Sequence, residues 1–212
     1  MTAKNLTLHY APRSRALTAL WLLEELGEPY GLASFDMTSG AHKSPEFLAM
    51  NPMGKVPVIV HGETPVSELG AIAIYLADNF SSSGLAPAPT APLRAAFLRW
   101  VFFSSAIMEP CLGEKFFNWN LPAVSMAWGS FEHMMATLEP ALETGPYLLG
   151  DQFSAADVLV GSTLRFGHMF GAIPNEGVTK SYAERLAARG AFKRASEIEA
   201  REGERFPAPP SD

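Results

Sequence analysis

The chain has 212 residues, 48% of them hydrophobic and only 18% charged, enough to bury the core of one large or two modest domains and too apolar for a disordered chain. Its 22 acidic residues outnumber 16 dispersed basic ones for a net charge of −6, which leaves no basic footprint for nucleic acid. No apolar leader precedes the first strand-like residues, and no apolar run in the sequence approaches the length of a bilayer span, so neither a secreted nor a membrane protein is expected.

In chain order, residues 6–10 alternate as a short strand, and 14–26 carry Leu17, Leu20, Trp21, Leu23 and Leu26 at helical spacing until Gly27 and Pro29 stop the helix. Short strands follow at 30–36 and 56–61, with a strand remnant at Pro65 and Val66 after the turn at Gly62. From Glu68 onward, Leu69, Ile72, Ala73 and Leu76 mark a helix with one buried stripe. Residues 1–80 therefore predict a small α/β domain: strand, helix, strand, irregular loop, hairpin, helix.

Residues 81–92 are rich in Ser, Gly and Pro, and the pattern changes across them from mixed to purely helical. They predict a linker, with an all-α domain over 93–212. Helical patterns cover 93–109, 123–142, 154–170, 178–188 and 192–202, and the tail 207–212 is expected to fray. Ser154-Ala155-Ala156-Asp157 has the form of a capping box, and Phe153 and Val158 stand at the two positions of a hydrophobic staple.

Only one cysteine is present, Cys111, which excludes a disulfide framework and a Cys-x-x-Cys redox pair. Its apolar neighbours predict a buried structural thiol, so any thiol chemistry needs an external thiol. The five histidines show no metal-ligand spacing, and no metal is expected.

Three stretches carry a family resemblance. Asn51-Pro52-Met53-Gly54-Lys55-Val56-Pro57 followed by Ser67-Glu68-Leu69-Gly70-Ala71-Ile72, the helix reading Trp-Leu-Leu-Glu-Glu from Trp21, and Pro146-Tyr147-Leu148-Leu149-Gly150-Asp151 through Asp157 together resemble the bacterial-type cytosolic glutathione transferases. The resemblance covers nearly the whole chain. It implies a thioredoxin-like N-terminal domain, a helical C-terminal domain, glutathione as co-substrate, a small hydrophobic electrophile as its acceptor, a homodimer and a cytoplasmic location.

The residues also make sense as a tripeptide site. A cis bond at Val56-Pro57 would bend the chain and turn the Val56 amide and carbonyl outward, free to pair with an extended peptide; an ordinary turn proline is the other reading. Glu68 precedes the amphipathic helix, where amides and the helix dipole attract a carboxylate. A carboxylate side chain beside such amides suits an α-amino acid, hence the γ-glutamyl end of glutathione; a first-turn dipole residue is the alternative. The family usually has Ser or Thr after this glutamate, but this chain has Leu69, which keeps the amide and loses the hydroxyl. His42 and Lys55 resemble cations that meet the glycyl carboxylate in some classes.

The thiol of glutathione must be ionised to act as a nucleophile, which calls for a hydrogen-bond donor at the sulfur. The resemblance places that donor between the first strand and first helix, where Tyr10, Arg13, Ser14 and Arg15 stand. Ser14 falls at the position of the serine-type enzymes and is also suited to cap the helix; Tyr10 is the reserve donor. The apolar acceptor is expected at the region of Phe102, Phe103, Met108, Phe116, Phe117 and Trp119. A scaffold that keeps the fold for protein binding is the alternative to an enzyme.

Overall fold

The computed structural model of the chain describes residues 6–207; the expected fraying from residue 208 onward lies outside them. The chain divides into two compact units, residues 1–76 with 190–212, and residues 77–189.

In the first unit a four-stranded sheet has the order β2-β1-β3-β4. β1 (Leu6–Tyr10) runs parallel to β2 (Tyr30–Ser34) and antiparallel to β3 (Val58–His61), which pairs with β4 (Thr64–Ser67) through a tight turn. β4 is an edge strand, which is why it tolerates Pro65. α1 (Ala16–Leu26) joins the parallel pair and buries Leu20, Trp21 and Leu23, ending at Gly27, whose φ of 72° and amide bond to the Leu23 carbonyl close the last turn. α2 (Pro45–Met50) occupies part of the segment expected to be an irregular loop, and α3 (Leu69–Asn79) follows β4. This is the thioredoxin-like arrangement.

α9 (Gly190–Arg205) belongs to the same unit and lies along α1. Trp21 meets Phe192 edge to face with ring centroids 4.8 Å apart, and Arg194 pairs with Glu24 at 2.7 Å.

The second unit is all helical. α4 (Arg94–Phe103) runs through a π-helical segment (Ser104–Met108) into α5 (Glu109–Phe117), so the helix expected to end at 109 continues for two more turns. The wide turn has a local cause. Pro110 has no amide to donate and its ring crowds the preceding carbonyls, and the Glu109 amide bonds back to the Ser104 carbonyl instead. By length and composition the 24 residues from Arg94 to Phe117 would suffice to cross a membrane, which the sequence did not lead us to expect. In this fold the run buries Phe97, Trp100, Val101, Phe103 and Met108, and it packs on α7. Arg94 grips Asp78 through two hydrogen bonds of 2.7 and 2.8 Å, tying the end of α3 to the start of α4.

α6 (Phe131–Glu143) begins at Ser130, whose hydroxyl accepts the His133 amide; the apolar pattern from 123 onward is a single 3-10 turn and a loop before it. α7 (Ala155–Met169) is the buried centre of the unit, with α8 (Gly177–Ala187) against it. The capping box is present at Ser154, and the Asp157 carboxylate also accepts from the Leu148 amide and the Tyr182 hydroxyl.

Candidate functional site

Three chain segments meet at one end of the first unit's sheet. The antiparallel registers pair His9 with Val58 and Val58 with Ser67. The last residue of β1, the residues entering β3 and the residues leaving β4 are therefore neighbours across adjacent strands. Tyr10 and the turn to Ser14, Val56-Pro57, and Glu68-Leu69 occupy these three places.

The Val56-Pro57 bond is cis. Both residues lie ahead of the paired part of β3, which starts at Val58. Val56 is half-buried and Pro57 buried. The approach to this bond is organised by Asn51: its side-chain amide donates to the Lys55 carbonyl at 2.8 Å, and its oxygen accepts the Met53 amide at 3.1 Å. Gly54 has a φ of 58°, and a Cβ there would lie 2.7 Å from the Lys43 ammonium and 2.9 Å from the His42 carbonyl, so only glycine lets the 41–43 turn come this close. Lys43 donates to the Met53 and Gly54 carbonyls at 3.4 and 3.3 Å. His42 stacks on Phe35 with centroids 6.4 Å apart, and its Nδ1 is enclosed without a hydrogen bond among the described residues. Lys55 is exposed. Lys43 was missed from the sequence because a surface lysine gives no pattern.

Glu68 has a left-handed backbone, with φ 67°. A non-glycine residue in that region is held there by its surroundings, and such residues cluster at ligand clamps. It is exposed and immediately precedes the first residue of α3, half-buried Leu69, with the free amides of the helix start beside it.

Ser14 does two things in the turn before α1. Its hydroxyl donates to the Ala11 carbonyl at 2.6 Å and accepts the Ala16 amide at 3.1 Å. The helix start itself falls at Arg15, with no side-chain cap, so Ser14 serves one first-turn amide from just outside the helix. Arg13, exposed, has a φ of 58°. Arg15 has one guanidinium nitrogen buried. The Tyr10 side chain is fully buried, and its hydroxyl makes no hydrogen bond among the described residues.

Cys111 is buried at the start of α5, and burial pushes its thiol up to about 11. At neutral pH it is neither ionised nor accessible, so the chain's own sulfur is no nucleophile. Of the aromatic region expected to receive an apolar acceptor, Phe103 and Met108 are core residues, whereas Phe102, Phe116, Phe117 and Trp119 are exposed. Among the described residues no cluster of His, Cys, Asp and Glu is arranged to hold a metal.

The N-terminal domain of the glutathione S-transferases matches residues 4–78. The disulfide-bond oxidoreductase YfcG of Escherichia coli is 32% identical over 164 residues, 71% of this chain and 75% of the relative. A glutathione transferase from Methylococcus capsulatus superposes with a TM-score of 0.77 at 29% identity, covering 92% of this chain and 98% of its own. A sphingomonad glutathione S-transferase complexed with glutathione gives a TM-score of 0.74 at 27% identity, over 92% and 98% of the two chains. With its thioredoxin-like unit, its helical unit and these relatives, the chain belongs to the glutathione S-transferase family.

Proposed function

We propose that the chain is a glutathione-dependent transferase that holds the tripeptide at the sheet end described above and presents its thiolate to a small electrophile or a peroxide. The observation that carries this reading is the left-handed Glu68 at the head of α3, aligned across β3 and β4 with Val56-Pro57. In this reading Glu68 meets the γ-glutamyl ammonium, the Leu69 amide holds the neighbouring carboxylate, and Val56 pairs with the peptide backbone. His42 and Lys55 face the glycyl carboxylate. The sphingomonad relative complexed with glutathione supports the choice of ligand. No metal takes part.

Ser14 is the donor to the sulfur. Its proton now goes to the Ala11 carbonyl, so activation requires a swing of the hydroxyl from that carbonyl to the thiolate, with the Ala16 amide retained as donor to its oxygen. The exchange trades a neutral hydrogen bond of about 1 kcal/mol for a charge-assisted one of about 1.5–3 kcal/mol, a net gain equivalent to roughly one pKa unit. Tyr10 remains the reserve donor. The Escherichia coli oxidoreductase adds a second reading, in which the electrophile is a disulfide sulfur. With Cys111 buried, glutathione itself would supply the attacking sulfur. A cytoplasmic homodimer working in detoxification completes the proposal.

The first test is melting temperature with and without millimolar glutathione. Ligand present at a hundred-fold excess over Kd stabilises by about 2.7 kcal/mol, and an unmoved melting temperature would favour the scaffold alternative. The second is thiolate absorbance of bound glutathione against pH. Ser14→Ala should raise the thiol pKa by about one unit and lower turnover at neutral pH roughly tenfold, with affinity little changed. A pKa unmoved by Ser14→Ala rejects Ser14 and makes Tyr10→Phe the next variant.

A further inference from the structure

The turn that carries Ser14 is gripped from the far end of the sequence. Glu199 in α9 accepts the Arg13 amide at 2.7 Å. The Arg13 guanidinium reaches in the opposite direction, donating to the Gly203 carbonyl at 3.3 Å and to the Phe206 carbonyl. The Gly203 carbonyl belongs to the last turn of α9 and Phe206 directly follows that helix, at the end where the dipole favours a cation and where carbonyls have no partner within the helix. Arg13 thus caps α9, and α9 in turn holds the backbone of Arg13.

This reciprocal grip falls on a residue with a φ of 58° that is not glycine. Such a conformation persists only where the surroundings enforce it. Burial raises the Glu199 carboxyl above its ordinary value against the opposing bond from the Arg13 amide, and its second oxygen is enclosed without a hydrogen bond among the described residues. A half-buried carboxylate with one idle oxygen is a costly way to pin a surface turn unless the geometry of that turn matters. The next residue is Ser14, whose Oγ lies between the Ala11 carbonyl and the Ala16 amide of the same turn.

We propose that the C-terminal half of α9 is a clamp on the thiol-activating turn, with Glu199 and Arg13 as positioning residues that hold Ser14 where its hydroxyl can swing onto the sulfur. The proposal rests on the reading of Ser14 as the donor. It extends the site to a helix 185 residues away in sequence, since Glu199 lies that far beyond Ser14. Neither residue touches glutathione in this scheme; both act through the backbone of the turn.

The test uses the full chain with Glu199→Ala, Glu199→Gln and Ser14→Ala, read by amide hydrogen exchange over residues 11–16 and by the pKa of bound glutathione. Glu199→Ala should speed exchange across the turn at least tenfold. It should also raise the thiol pKa by about half a unit to one unit, a three- to tenfold loss of thiolate at neutral pH, with glutathione affinity within twofold of the parent. Glu199→Gln keeps an oxygen for the Arg13 amide and should restore both quantities. In the Ser14→Ala background, Glu199→Ala should move the thiol pKa no further. Unchanged exchange in Glu199→Ala overturns the clamp. Faster exchange with an unmoved thiol pKa, in a protein where Ser14→Ala does move it, overturns the positioning role and leaves Ser14 standing. If neither variant moves the thiol pKa, the reading of Ser14 has failed and the positioning role falls with it.

Discussion

Leu69 opens α3 directly after the left-handed Glu68, at the position where the glutathione transferase resemblance implies a serine or threonine. A leucine there cannot donate to a bound carboxylate, while its backbone amide still can. Leu69→Ser should therefore tighten glutathione binding about tenfold, since one added hydrogen bond to a charged group contributes about 1.5–3 kcal/mol less the cost of displacing water. Calorimetric titration checks this; equal affinity in the two proteins would mean that the carboxylate does not sit at the head of α3. At this scale the sequence was informative where a residue's chemistry matched its place. Of the two readings of Val56-Pro57 the cis bond is the one present, and Glu68 does stand directly before the amphipathic α3. The capping reading of Ser14 anticipated its bond from the Ala16 amide, but its bond to the Ala11 carbonyl was not legible, because it arises in a turn with a left-handed Arg13 and arginine gives no sign of that conformation. Lys43 escaped for a related reason: its contacts with the Met53 and Gly54 carbonyls exist only because Gly54 lets two distant turns touch.

Among the elements, α7 shows how much a local motif can organise. The capping box seen in the sequence is present, but the structure adds what no local pattern could reveal: Asp157 also accepts the Leu148 amide at 2.8 Å and the Tyr182 hydroxyl at 2.7 Å, drawing the start of α7, the preceding loop and α8 onto one carboxylate. The Ser154 hydroxyl donates to it as well, at 3.1 Å, which makes four donors to the one carboxylate, so an amide in its place must set its NH2 group against either the Leu148 or the Ser154 amide. Asp157→Asn should cost about 2–4 kcal/mol of unfolding free energy, one orphaned backbone donor plus the weakened bonds, measured by urea unfolding. A loss below about half a kcal/mol would show that water replaces the missing acceptor. Burial raises the Asp157 carboxyl, with the four hydrogen bonds opposing it. The elements most readily missed were those whose cause is steric rather than periodic. α2 is six residues capped by Ser44, too short for a hydrophobic period, and the π segment before Pro110 arises from a missing amide that leaves the apolar pattern unchanged.

For the molecule as a whole, helical periodicity identified α9 but could not show that it returns to the first unit, since a helix pattern marks a buried face without naming its partner. A similar ambiguity concerns the apolar surface of the helical unit. Phe102, Phe117, Met169 and Phe170 are 57%, 69%, 67% and 58% exposed. Phe170 also joins Phe116 and Phe166 in one aromatic cluster, with ring centroids 5.5 and 5.3 Å apart. Exposed aromatic side chains in contact, as Phe116 and Phe170 are, mark an association surface, and the low charged fraction of 18% means that few ions are available to keep copies apart. The chain is therefore expected to form a homodimer through apolar surface, which requires an interface of roughly 1,200–2,000 Å² in total. Light scattering at micromolar concentration should report twice the chain mass of 22.9 kDa. Because apolar contacts are not screened, the dimer should persist in about 1 M sodium chloride, where the Debye length falls to about 3 Å and an association built on surface ion pairs would weaken. Dissociation in salt would assign the interface to charges instead, and a single species of 22.9 kDa at every concentration would overturn the dimer itself.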